Sequence, residues 1–113
     1  MHEFSLCNSV MRIIERQASA TGFARVNSVR LEIGALANVE IDALRFSFAA
    51  TSRGTIADGA RLEIIETPAY AWCPECAGEV IVKSRIEGCP VCAATLVNLR
   101  GGDMLHVREM EVE

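Results

Sequence analysis

Four cysteines stand in two identical short pairs, Cys73-Pro-Glu-Cys76 and Cys89-Pro-Val-Cys92, with twelve residues between them. No other feature constrains the fold as strongly. Zinc takes four ligands in a tetrahedron, and a Cys-x-x-Cys turn brings two thiolates to one side of the metal. Two such turns complete a four-cysteine site with no open position, so the ion holds structure and does no chemistry. Gly78 and Gly88 are expected to supply the tight, partly left-handed backbone of these knuckles. The rival readings are two disulfides or a redox motif, and the paired spacing favours structural zinc.

Composition narrows the partners. The 113 residues suit one domain, or one small core plus a metal-held module, and half of them are hydrophobic. Aromatic residues are few, so the core is expected to be aliphatic. Eleven basic against fifteen acidic residues leave a net charge of −4, which argues against a phosphate-binding surface. No apolar run approaches the ~20 residues of a membrane helix. Glu3, Arg12, Glu15 and Arg16 do not suit a signal peptide. The expected setting is a reducing cytoplasm, where close thiols favour metal over disulfide. Cys7, left over, reads as a small buried apolar residue on a helix.

Leu6, Val10, Ile13 and Ile14 recur at helical spacing before Gly22, predicting a helix over 5–20. Val29, Leu31 and Ile33 alternate with polar residues as a half-buried strand that Gly34 closes. Ile41, Leu44, Phe46 and Phe48 form a second helical stripe over 40–52, with Asn38 as its expected cap. Leu62 and Ile64 mark a second strand ending near Pro68, and 79–82 a short one inside the ribbon. After the Gly101-Gly102 turn, 104–112 is extended again. An apolar strand beyond the ribbon implies that the chain returns to its first sheet. The expected fold is therefore α+β: two helices on a small three-stranded sheet, with an inserted four-cysteine zinc-ribbon-like domain. The expected boundaries are 1–69 with 97–113 for the α/β domain and 70–96 for the insert.

Two places could carry function. Many zinc ribbons grip nucleic acid, but here Lys83 and Arg85 face Glu75, Glu79 and Glu87, too few cations to neutralise phosphates. Tyr70 and Trp72, beside Cys73, are expected to cover the metal site. The second place is the amino terminus, Met1-His2-Glu3. A free α-amine, the His2 imidazole and deprotonated amides of His2 and Glu3 make four nitrogens in a plane, an arrangement that favours Ni(II) or Cu(II) over zinc. The plain alternative is a frayed chain end that binds nothing. His106 reads as structural. No nucleophile-and-base set and no phosphate loop emerge, so no enzymatic activity is expected.

The ordered set of motifs resembles the HypA/HybF family of nickel metallochaperones for [NiFe]-hydrogenase maturation. The likeness runs from Met1-His2-Glu3 and Ser5-Leu6-Cys7 through Ile33-Gly34, Val39-Glu40 and Leu44-Arg45-Phe46-Ser47-Phe48. It continues through Gly54-Thr55, Asp58-Gly59-Ala60, Leu62-Glu63-Ile64 and both knuckles to Glu109-Met110-Glu111-Val112. Family members often carry Gly after the second knuckle, where this chain has Ala93-Ala94, and Glu-Gly where it has Asp58-Gly59. Neither departure touches a ligand position. The resemblance implies nickel cargo held at Met1, His2 and Glu3, by the His2 side chain and backbone nitrogens, and structural zinc on Cys73, Cys76, Cys89 and Cys92. It also implies a HypB-type GTPase partner and a hydrogenase large subunit precursor as recipient, with urease a further client in some relatives. No nucleic acid or membrane partner is expected, and a homo-oligomer is left open. The rivals are a zinc-ribbon nucleic-acid factor and an interaction module whose terminus binds nothing.

Overall fold

The structure is a computed structural model that describes residues 2–84 and 88–113. The first helix, α1 (His2–Thr21), buries Cys7, Val10, Met11 and Ile14. That i, i+3, i+4, i+7 stripe keeps the predicted Val10 and Ile14, but Cys7 and Met11 complete it, and Ile13 points out at 39% exposure. Gly22, at φ 85°, ends the helix by donating its N–H to the Ala18 carbonyl at 2.8 Å. The second helix, α2 (Ile41–Ser52), buries Leu44, Ser47, Phe48 and Ser52. Phe46, expected inside, is 76% exposed on the opposite side of that stripe.

Asn38 does not cap α2. It sits at φ 58°, and the cap is Glu40, whose carboxylate accepts from the backbone N–H groups of Asp42 and Ala43. The longer Glu side chain reaches the orphan donors of the first turn as a Ser or Asp would.

Strand β1 (Val26–Gly34) is the centre of a three-stranded sheet, with β2 (Arg61–Thr67) on one side and β6 (Leu105–Val112) on the other. At the start of β1 the Ala24 N–H donates to the Glu113 carbonyl, and at its end the Gly34 N–H donates to that of Met104, so β6 runs antiparallel. The return strand inferred from sequence is thus present. Val29, Leu31 and Ile33 are buried as predicted. Arg30 bridges Glu63 on β2 at 2.9 Å and also pairs with Glu109 on β6.

The second sheet has the order β4-β3-β5, from β3 (Ala69–Cys73), β4 (Gly78–Val82) and β5 (Val97–Arg100). The β3–β4 register runs from Ala69↔Val82 to Cys73↔Gly78, a hairpin whose tip is the first knuckle. Strand β5 was not anticipated from the sequence. It pairs Tyr70↔Arg100 and Trp72↔Val97 with a one-residue register shift, at which Asn98 takes φ 55°. The core of this sheet is small: Leu36, Ala69, Ala71 and Val82, with Val80 and Leu96 packed against it.

Contacts group the chain into two units. The first holds Met1–Leu31, Val39–Ile64 and Val107–Glu113, and the second Glu32–Asn38 and Ile65–His106. Among the described residues no helix is long and apolar enough to cross a membrane. Together the helices and two small sheets are the α+β architecture expected from the sequence.

Candidate metal centre

Cys73 is the last residue of β3, Cys76 lies in the following turn, and Cys89 and Cys92 belong to a second turn. Their four sulfurs lie within 4.8 Å of one another. Cys73 Sγ is 3.5 Å from Cys92 Sγ, and Cys76 Sγ is 3.9 Å from Cys89 Sγ. A zinc tetrahedron with Zn–S bonds of about 2.3 Å has edges of about 3.8 Å. A disulfide would need about 2.0 Å. All five cysteines are unbridged. The spacing fits one metal ion and is too long for an S–S bond.

Each knuckle also aims backbone N–H groups at sulfur. Cys76 donates to Cys73 Sγ at 3.3 Å, and Val91 donates to Cys89 Sγ at 3.4 Å. The N–H groups of Cys92 and Val91 draw the Cys89 thiol down from 9.0 to about 7. Cys76 is pushed up to about 12, chiefly by sharing hydrogen bonds with the sulfurs of Cys92, Cys73 and Cys89. Four sulfurs this close cannot all carry charge alone, because neighbouring anions oppose one another's ionisation. A dication removes that conflict, which is why the donor set suits a metal.

The left-handed residues of the knuckles are not the expected glycines. Ala77 has φ 52° and Ala93 has φ 63°. Gly88 answers a different demand, since a Cβ there would meet the Ala93 carbonyl oxygen at 2.8 Å. A left-handed alanine costs roughly 1–2 kcal/mol, partly offset by the ~0.5–1 kcal/mol entropy cost of glycine. Ala93→Gly is therefore expected to stabilise the metal-loaded protein by about 1 kcal/mol. A thermal midpoint that fell in the loaded variant would contradict this.

Tyr70 and Trp72 do not cover the cysteines. Successive side chains on a strand point to opposite faces, so Ala69 and Ala71 share the buried face of Cys73, and Trp72 is 43% exposed on the other. The ribbon cation Arg85 and the acid Glu87 lie outside the described residues.

At the other candidate site, His2 is the first residue of α1 and is exposed. Met1, the expected source of the α-amine, lies outside the described residues. The first N–H groups of a helix have no intrahelical acceptor, so the amides of His2 and Glu3 are not committed to the helix ladder. Glu3 anchors this end: its carboxylate accepts the Glu40 N–H at 3.2 Å. That contact is the main reason the Glu3 carboxyl is held below its ordinary value. Glu40, passed over as a site residue in the sequence, thus holds the start of α1. Its sequence signals were its place in the Val39-Glu40 motif and a carboxylate just ahead of an apolar helical stripe. His106 is exposed on β6. Among the described residues, the four cysteines are the one cluster of metal-ligating side chains with three or more members.

Cys7 is buried as expected, 1% exposed, with its thiol 3.5 Å from the Leu44 carbonyl oxygen. Burial, with a smaller push from Glu3, raises the thiol from 9.0 to about 11. A raised value favours the neutral thiol in the fold, so its contribution to stability is complete below about pH 9 and is lost between about 9 and 11. Native Cys7 is expected to resist alkylation at pH 8, and Cys7→Ala to flatten part of the alkaline loss of stability. Rapid labelling of Cys7 in the folded, metal-loaded protein would show the burial to be wrong.

Fold and site together define the class: an α+β protein with a four-cysteine, zinc-ribbon-like metal module. The profile of the HypA family, "Hydrogenase/urease nickel incorporation, metallochaperone", matches residues 1–112. The hydrogenase maturation factor HypA of Rhodopseudomonas palustris (strain BisA53) is 50% identical over the full length of both chains. That of Azotobacter chroococcum mcd 1 is 47% identical, again over all of both. The chain belongs to the HypA family, a family of metallochaperones and not of enzymes. The solution structure of the Ni metallochaperone HypA from Helicobacter pylori shares the fold, with a TM-score of 0.68 at 17% identity over 97% of this chain and 96% of that one. A second solution structure, of a HypA protein, gives 0.69 at 18% over 100% and 97%.

Proposed function

We infer that this chain is a nickel carrier that binds Ni(II) at Met1-His2-Glu3 and hands it, with a HypB-type GTPase, to the precursor of a [NiFe]-hydrogenase large subunit. The observation that carries the reading is the terminus itself. His2 is exposed on the first turn of α1, and Glu3 is tied to the Glu40 N–H, so the imidazole and the uncommitted amides of His2 and Glu3 stand on an anchored helix end. Full-length identity to hydrogenase maturation factors supports the same role.

The α-amine of Met1, the amides of His2 and Glu3 and the His2 imidazole would hold nickel as cargo, in the planar nitrogen geometry that this ion accepts. The Glu3–Glu40 contact orients the site. A few nitrogens at a chain end leave the faces of the metal open, so an incoming ligand can take it by exchange. Cys73, Cys76, Cys89 and Cys92 would hold zinc for the opposite purpose: four thiolates would close its shell, so it would supply fold and no chemistry. We assign 70–96, together with the β5 strand that pairs with β3, to the zinc-binding domain, the rest of the chain to the nickel-binding one, and the work to the cytoplasm.

A transfer assay tests the whole reading. Nickel-loaded protein, the GTPase with GTP and metal-free large-subunit precursor are mixed, and nickel in the precursor is measured. Transfer is expected with the wild-type chain and at least tenfold less with His2→Ala. Equal transfer by the two would overturn the terminal site.

A further inference from the structure

The four cysteines are not equivalent. Cys73 and Cys89 are buried, at 0% and 4% exposure, whereas Cys76 and Cys92 are exposed. Buried thiolates sit behind the sheet and the knuckle backbone, and their sulfurs accept the N–H groups of Cys76 and Val91. Such hydrogen bonds draw electron density from sulfur and lower its nucleophilicity; Cys92 also accepts one, from the Ala94 N–H, so exposure is what sets the two pairs apart. The second cysteine of each knuckle stands on the solvent side, and a left-handed alanine follows each one, Ala77 at φ 52° and Ala93 at φ 63°. The strained backbone therefore lies beside the exposed pair.

We propose that the exposed edge of the metal site, Cys76 with Cys92, is an oxidation site at which a peroxide forms a disulfide and releases the zinc. This rests on the zinc reading given above. One thiolate attacks a peroxide oxygen: an S–O bond forms, the O–O bond breaks, and the departing hydroxide takes a proton to become water. The second thiolate then attacks the sulfenic sulfur: the S–S bond forms, the S–O bond breaks, and a second water leaves with a second proton. Two thiolates lose two electrons, the peroxide gains them, and zinc is left with two ligands that no longer close its shell.

Cys73 is nearer to Cys92, at 3.5 Å, but its sulfur is buried at the end of β3. Cys76 lies in a turn on the exposed side, its sulfur within 4.8 Å of that of Cys92, where a peroxide can reach both. Cys7, the remaining thiol, is shielded in the helix interface and takes no part.

The experiment uses the zinc-loaded full chain with hydrogen peroxide and a chromogenic zinc chelator. Free thiols are then alkylated and disulfides mapped by mass spectrometry. Zinc is expected to appear in step with peroxide consumed, about one for one. The first product carries a Cys76–Cys92 bridge, with Cys7, Cys73 and Cys89 recovered as alkylated thiols. Cys7→Ala releases zinc at the same rate, and a dithiol reductant with added zinc restores the starting protein. A first bridge that takes in Cys73 or Cys89 overturns the proposal. So does zinc retained at peroxide concentrations that oxidise a small free thiol in the same tube. A chain that carries no zinc before peroxide is added would overturn the zinc reading itself, a separate failure seen at the outset.

Discussion

Stripping zinc from the loaded protein is expected to unfold the β4-β3-β5 sheet while α1, α2 and the β2-β1-β6 sheet largely persist. The two sheets differ in what else holds them. The first is backed by the buried stripes of α1 and α2 and by Val26, Val29 and Leu31. The second has four buried core residues, two of them alanines. So small a core cannot offset the chain entropy of its strands and turns. Structural zinc contributes on the order of 10–16 kcal/mol in comparable peptides, enough to reverse that balance. Cys76→Ser or Cys92→Ser, which removes one ligand, should reproduce chelation. Amide chemical shifts of Ala69–Val82 and Val97–Arg100 give the answer. Native shifts there in a metal-free sample would defeat the structural assignment of the site.

Nickel binding is expected to vanish on two changes that leave the fold intact. His2→Ala removes the imidazole, and any residue placed before Met1 converts the amine into an amide that no longer coordinates readily. Each should lower nickel from one ion per chain to none detectable, with zinc content and circular dichroism unchanged. The fold should survive because His2 is exposed and contributes nothing to the buried stripe of α1. Glu3→Ala should act differently. It frees the helix end from the Glu40 N–H and is expected to weaken nickel binding about tenfold without abolishing it. Metal analysis of untagged proteins after dialysis separates the cases. An amino-terminally extended protein that bound nickel as tightly as the untagged form would move the site away from the terminus.

The metal cluster is legible in the chain of residues because its geometry is local. Two thiols three residues apart share one turn, so the spacing of Cys73, Cys76, Cys89 and Cys92 already implies four converging sulfurs. The helices and the strand at 29–33 are legible for the same reason: apolar period reports which face a segment buries. By itself the sequence thus determined the convergence of the four cysteines, both helices and, through the strand after the ribbon, the return to the first sheet.

Only the tertiary structure decided which distant groups meet. Glu3 and Glu40 lie 37 residues apart and touch because α1 and α2 pack together, a contact that no spacing rule encodes. The same holds for β5, whose four exposed residues carry no burial pattern and which exists by pairing with β3. Backbone strain was equally hidden. Glycine beside a knuckle suggested a left-handed turn, yet Ala77 and Ala93 hold those angles, while Gly88 leaves room for the Ala93 carbonyl. A residue type states which conformations cost least. The packed chain and its metal decide which costs are accepted.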